Sequence, residues 1–172
     1  YWKLAIQIEE AVLTGIPFYG FSLDYSKCFD NVPQVIMFQL VRHLGLPDRI
    51  LTPVRSMYAN LRRRFKFAVA CGKEFKTTNG ILQGCPLSIV FLNALVSVWS
   101  KALREEVPAV DPTAFVDDTG ATAKRPGVLQ DALDVTKEYA ELTKQKLNAT
   151  KCGTFTTVTS RMRGLKLGAV RV

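Results

Sequence analysis

The stretch Phe18-Tyr19-Gly20-Phe21-Ser22-Leu23-Asp24-Tyr25 runs aromatic and apolar up to a carboxylate, and Ser26-Lys27-Cys28-Phe29-Asp30-Asn31-Val32-Pro33 follows it. A short run of this kind, rich in aromatic residues, reads as a buried strand. Asp24 then sits at the strand's end, at the head of an acidic cluster that closes with Asp30. Asn31 as an N-cap and Pro33 in the first turn predict a helix from there to about His43. The same arrangement recurs downstream, where Asp117 and Asp118 follow Ala114-Phe115-Val116. A hairpin of Thr113–Val116 and Thr119–Ala123 would put that acidic pair at its turn.

Outward from these two strands, most segments read as helices. Trp2, Leu4, Ile6, Ala11 and Val12 predict a helix ending near Gly15, with Pro17 just beyond. Gly45 and Pro47 break the helix after Pro33, and another should run from Asp48 to about Leu61 with Ile50, Val54, Met57 and Tyr58 on one face. Arg62–Ala70 and Lys73–Thr78, split by Cys71 and Gly72, read as a hairpin. A long helix is expected from Leu87 to about Glu106, and another from Gly127 to Leu147. Thr154–Thr157 and Leu165–Val172 complete the chain as short strands. No repeat or linker appears, so residues 1–172 read as one domain. Its class is α+β, an antiparallel sheet backed by helices.

Composition bounds the function. The chain has 172 residues, 48% hydrophobic and 22% charged, which suffices for a folded core and excludes a disordered or low-complexity chain. Leu87–Trp99, the most apolar stretch, is interrupted by Ser88, Asn93 and Ser97 and reads as too short for a bilayer, so no membrane partner is expected. Tyr1 stands where a Met would begin a chain, which points to a piece of a longer protein. Cys28, Cys71, Cys85 and Cys152 are widely spaced, with neither zinc spacing nor a disulfide framework. They read as reduced thiols of an intracellular protein, nuclear or cytoplasmic. His43, the lone histidine, falls mid-helix and makes histidine-driven catalysis improbable.

The net charge of +8 is blocked along the chain. Residues 1–41 carry two lysines against four acids, and residues 42–76 carry nine cations against two acids. Residues 77–143 carry five cations against nine acids, and residues 144–172 carry seven cations and no acid. Basic surface in blocks suits a polyanion, whether nucleic acid or anionic membrane. Charge alone leaves those two open, and leaves open a soluble domain with basic faces. Arg62, Arg63, Arg64 and Lys66 form the densest run. Strand alternation would put Arg62, Arg64 and Lys66 on one face, where a row of phosphates could lie, with a solvated strand edge as the alternative.

Asp24, Asp117 and Asp118 are the candidate chemical groups. Carboxylates crowded at strand ends in apolar surroundings repel unless paired or bound to metal. A hard cation with oxygen ligands, Mg²⁺ or Mn²⁺, relieves that repulsion. Two adjacent strands could hold two ions about 3.5–4 Å apart, the spacing used for in-line phosphoryl displacement. A solvated Asp-Asp turn is the plain alternative.

Phe21–Val32, the segment Gln83-Gly84-Cys85-Pro86-Leu87-Ser88, and Phe115-Val116-Asp117-Asp118 together resemble motifs A, B and C of reverse transcriptases, in the right order. They are most similar to the enzymes of non-LTR retrotransposons and group II introns. Leu147-Asn148-Ala149-Thr150-Lys151-Cys152 resembles motif D, and Leu165-Lys166-Leu167-Gly168 the start of the motif E primer grip. The resemblance runs from about residue 18 to 170 and implies a polymerase palm, with fingers and thumb outside this piece. It implies RNA-directed DNA synthesis on an RNA template and DNA primer from deoxynucleoside triphosphates, and leaves the oligomeric state open.

Carried over residue by residue, Asp24, Asp117 and Asp118 would ligate two Mg²⁺ or Mn²⁺ ions. Phe29 would be the steric gate against a ribose 2′-hydroxyl, and it also reads as plain core. Gln83 and Gly84 would lie beside the incoming nucleotide, with Ser88 fixing their loop. Lys151 would donate a proton to leaving pyrophosphate, or be a solvated strand-edge lysine. The sequence departs from the family at Ile89, where a proline is usual, and at the lysines before Leu147, where a glycine is usual. Two further readings stay open: an RNA-directed RNA polymerase palm, against which Phe29 and Phe115-Val116-Asp117-Asp118 count, and a non-catalytic nucleic-acid-binding remnant.

Overall fold

Alternation along Tyr19–Leu23 sets the architecture. In a computed structural model, which describes residues 2–158 in full and only the backbone of 166–167 and 170–171, Phe21 and Leu23 are fully buried while Ser22 between them is exposed. A strand whose successive side chains face opposite ways, one side apolar, must be covered on that side.

In chain order the elements are α1 (Trp2–Thr14), β1 (Tyr19–Leu23), α2 (Cys28–Asn31), α3 (Gln34–His43), α4 (Asp48–Asn60), β2 (Lys66–Phe67) and β3 (Ala70–Cys71). There follow α5 (Pro86–Glu106), β4 (Asp111–Phe115), β5 (Asp118–Ala123), α6 (Pro126–Thr143), β6 (Gly153–Thr156), β7 (Lys166–Leu167) and β8 (Val170–Arg171). They form two compact units, residues 1–28 with 96–172, and residues 29–95.

The first unit holds a four-stranded antiparallel sheet in the order β4-β5-β1-β6. Pro112 lies in β4, at the edge, where a residue without an N–H interrupts no ladder. One face of the sheet is covered by a core in which Phe21, Leu23 and Ala121 join Trp99, Leu103, Leu129 and Leu133. Trp99 is fully buried, which contributes roughly 1.5–3 kcal/mol through its apolar body. Its indole N–H donates to Thr136 Oγ1 at 2.9 Å, and that hydroxyl donates to the Ala132 carbonyl at 2.7 Å, so no polar atom of the pair is stranded. In the second unit Phe38, Tyr58 and Phe91 pack edge to face, with ring centres 5.6–6.4 Å apart.

Several expectations shift. Asn31 closes the one-turn α2 instead of capping the next helix, and Pro33 itself is the N-cap of α3. In α4 the buried stripe is Leu51, Val54 and Tyr58, with Ile50 and Met57 exposed. In the basic hairpin the turn falls at Ala68 and Val69, so Cys71 pairs with Lys66 as a strand residue. α6 stops at Thr143 because Lys144 adopts a left-handed φ of 58°. Leu165 and Gly168 of the motif E stretch lie outside the described residues. By length and composition α5 is long and apolar enough to cross a membrane, contrary to expectation, because Ser88, Asn93 and Ser97 do not interrupt it. Its stripe Ser88, Phe91, Leu92, Leu95, Trp99 and Leu103 is nonetheless buried within the protein.

Candidate active site

The register of β1 against β5 brings the candidate acids to one end of the sheet. Leu23 pairs with Thr119, so one step further along β1 and one step back along β5 puts Asp24 level with Asp118. The β4–β5 turn consists of Val116 and Asp117 alone, since Phe115 already pairs with Asp118. Asp118 is thus the first residue of β5 rather than part of the turn. Val116 adopts a left-handed φ of 60°. That conformation is unfavourable for a β-branched side chain and costs about 1–3 kcal/mol, strain located beside the acid it presents.

The acids are less enclosed than their apolar neighbours suggest. Asp117 and Asp118 are exposed and Asp24 is half-buried. Asp118 lines a groove of about 230 Å³ with Lys3, Ser22, Thr113 and Phe155. Asp24 and Asp117 share a neighbourhood, because both act on the buried Cys28 thiol. Loss of hydration pushes that thiol up to about 12, and the negative charges of Asp117 and Asp24 add to the effect. Cys28 therefore stays a protonated, unreactive thiol at neutral pH.

The segment after α6 is stitched to Asp24 through the backbone. The Asn148 N–H donates to the Asp24 carbonyl at 2.8 Å, and the Ser26 N–H donates to the Lys146 carbonyl at 2.7 Å. The Asn148 carbonyl accepts the N–H groups of Lys151 at 2.9 Å and Cys152 at 3.1 Å, closing a tight turn. This turn places Lys151 Nζ 4.0 Å from Asp24 Oδ2. Lys151 is well exposed, so the pair is a loose, screened one. Its ammonium is a mobile donor held beside the carboxylate.

In the second unit, Phe29 is half-buried and its backbone is pinned. The Ile81 N–H donates to the Phe29 carbonyl and the Gly80 N–H to the Val32 carbonyl, each at 2.8 Å. Gln34 Nε2 donates to the Gly80 carbonyl at 2.8 Å. Gly80 has φ +88°, and a Cβ there would come within 3.0 Å of the Asp30 carbonyl oxygen, so only glycine suits the position. Gln83 and Gly84 are exposed in the loop that follows. Ser88 is fully buried, and its hydroxyl lies 3.5 Å from that of Tyr58, which accepts the Leu82 N–H at 3.1 Å. Ser88 thus acts on the loop through Tyr58. The sequence marks Tyr58 only as part of an apolar helix face and does not mark Gly80; a loop glycine shortly before Gln83 was the available signal.

Arg62, Arg64 and Lys66 are all exposed. Arg64 is engaged, its Nε donating to Glu74 Oε1 at 3.1 Å, whereas Arg62 and Lys66 make no ion pair among the described residues. Arg63 faces Phe75 while Lys66 faces Cys71, so the returning strand carries one extra residue. This bulge lies in the returning strand, between Cys71 and Phe75.

Residues 13–167 match the family described as "Reverse transcriptase (RNA-dependent DNA polymerase)". The chain belongs to the reverse transcriptase family. Over 142 residues, 79% of the chain, it is 29% identical to the retrovirus-related Pol polyprotein from type-2 retrotransposable element R2DM of Drosophila melanogaster. Over 155 residues, 86% of the chain, it is 25% identical to that from type-1 retrotransposable element R2 of Popillia japonica. The chain spans 13% and 26% of those two relatives. Among solved structures, telomerase from Candida tropicalis in complex with the TWJ fragment of telomeric RNA superposes with TM-score 0.72, covering 95% of this chain and 30% of that one. At 16% identity the likeness is one of fold.

Reverse transcriptases as a family use divalent cations. Among the described residues no three His, Cys, Asp or Glu side chains converge closely enough to hold an ion between them. The three-acid ligand set expected from the sequence is therefore not gathered into one cluster. Asp24 and Asp117, both within electrostatic reach of Cys28, still fit a hard cation, because Mg²⁺ is commonly held by one or two carboxylates with substrate phosphates supplying further oxygens.

Proposed function

We propose that this chain is the palm of a retroelement RNA-directed DNA polymerase, which adds deoxynucleotides to a primer 3′-hydroxyl on an RNA template. The observation that carries the reading is the delivery of Asp24 and Asp117 to one end of the sheet by β1 and the neighbouring β4–β5 turn. Asp24 and Asp117 would hold the Mg²⁺ or Mn²⁺ ions, with substrate phosphates supplying further oxygens. Bound there, such ions activate a hydroxyl and neutralise phosphate charge in an in-line displacement.

The chain's own residues do the rest. Lys151, held beside Asp24, gives a proton to the leaving pyrophosphate. Phe29 presents a ring that excludes a ribose 2′-hydroxyl, its backbone fixed by Ile81 and Gly80. Gln83 and Gly84 flank the incoming nucleotide, on a loop that Ser88 and Tyr58 support. Arg62 and Lys66, with Arg64 through its remaining donors, hold backbone phosphates of template or primer. The test is Mg²⁺-dependent extension of a DNA primer on an RNA template by the polymerase that contains this chain, with and without Asp117→Asn.

A further inference from the structure

The unit formed by residues 29–95 carries a groove that the proposed chemistry does not use. It lies between α3 and α4, is bordered by residues 76–78, and has a volume of about 560 Å³. That size is typical of sites for small ligands or single nucleotides. Its base is aromatic, with Phe38 and Tyr58, and its rim is cationic, with Arg42, Arg55 and Lys76; no carboxylate lines it. Arg42 is occupied by Asp48 at 3.4 Å. The Arg55 guanidinium lies over the Phe38 ring, 5.9 Å from its centre. Among the described residues neither Arg55 nor Lys76 has a carboxylate within ion-pair distance.

An exposed guanidinium above an aromatic ring is open to stacking by a second flat group. A cation at the rim of the same slot offers a place for a phosphate. Both needs are met by one unpaired nucleotide, its base stacked on Arg55 and its phosphate on Lys76. A duplex cannot comply, because its bases are stacked on one another. We propose that this groove binds an unpaired nucleotide of a single-stranded RNA. The inference rests on the reading of the chain as an RNA-templated polymerase, and adds which state of the RNA a second site selects.

The test is fluorescence anisotropy of the full chain with a labelled oligouridylate of about 12 nucleotides, a length within the range that single-strand-binding folds cover. Arg55→Gln should weaken binding by about 10-fold, a typical loss of one stacked base. Lys76→Gln should reduce the slope of log affinity against log salt by about one. Neither substitution should alter binding of a blunt RNA duplex, and 4-thiouridine in the oligonucleotide should crosslink within residues 34–59. Unchanged oligouridylate affinity in Arg55→Gln, an equal loss on duplex, crosslinks confined elsewhere, or equal displacement by free uridine monophosphate or by polyglutamate would each overturn the proposal. Both residues are exposed, so unchanged melting temperatures verify that the variants fold. Asp117→Asn should leave this binding intact while it tests extension, so failure of the polymerase reading and failure of the groove are read separately.

Discussion

The Asn148 N–H donates to the carbonyl of Asp24 across 2.8 Å, joining residues far apart in sequence at the end of β1. The contact gives Lys151 its position, because the turn closed on the Asn148 carbonyl leaves the lysine ammonium 4.0 Å from the Asp24 carboxylate. If Lys151 is the proton donor to pyrophosphate, Lys151→Gln should lower the extension rate by about 10²-fold, the lower end for a lost general acid. The nucleotide KM should change little. Lys151→His should recover part of the rate, with an optimum moved to lower pH. Pre-steady-state extension across pH measures both; an undiminished rate in Lys151→Gln would reduce Lys151 to a surface cation.

Phe29 is tied at its backbone, so its ring is the part free to act as a wall. Phe29→Val should admit ribonucleotides, lowering discrimination against the extra hydroxyl by about 10²-fold, the range typical of a purely steric hydroxyl test. Competitive incorporation of deoxynucleoside and ribonucleoside triphosphates reads this directly. Unaltered selectivity would return Phe29 to the core.

Gly80 holds the Phe29–Val32 segment from the other side. Gly80→Ala must place a Cβ at φ +88° and within 3.0 Å of the Asp30 carbonyl oxygen. The expected cost is about 1–3 kcal/mol of stability. Denaturant unfolding measures it, and sugar discrimination should weaken in the same variant as strain at residue 80 shifts the Ile81 N–H away from the Phe29 carbonyl.

Much of this was legible in the residues. The apolar run ending at Asp24 read as a strand and Thr119–Ala123 as another, but their pairing, with Leu23 opposite Thr119, is a long-range register that residue type does not carry. The helix ends were less so, because Pro33 and Lys144 act through backbone angles that residue type only biases. The exposure of Asp117 and Asp118 was not legible either: apolar neighbours in sequence need not enclose a side chain at the tip of a two-residue turn. The link from Asn148 to Asp24 is a backbone hydrogen bond, which leaves no signature in side-chain identity.

A pH dependence should appear at the sheet's edge. Burial pushes the Asp111 carboxyl up, but hydrogen bonds from Lys3 and Gln7 and the charges of Lys3 and Arg104 outweigh it, so the group titrates below its ordinary value of 3.8. A lowered value means that the contact stabilises the fold above the ordinary carboxylate range and is lost as acid protonates Asp111. Lys3 Nζ at 2.6 Å and Gln7 Nε2 at 3.2 Å then release α1 from β4. Hydrogen exchange of the α1 amides should therefore gain over the intrinsic rate as the pH is taken below the ordinary carboxylate range. Asp111→Asn should abolish that step.

The central claim is that Asp24 and Asp117 together run phosphoryl transfer, and one rate measurement tests it most directly. In the polymerase containing this chain, Asp117→Asn should lower Mg²⁺-dependent primer extension on an RNA template by at least about 10³-fold, equivalent to about 4 kcal/mol of transition-state stabilisation. Affinity for the primer–template should be retained. Extension at the parent rate by a folded Asp117→Asn variant would contradict the account.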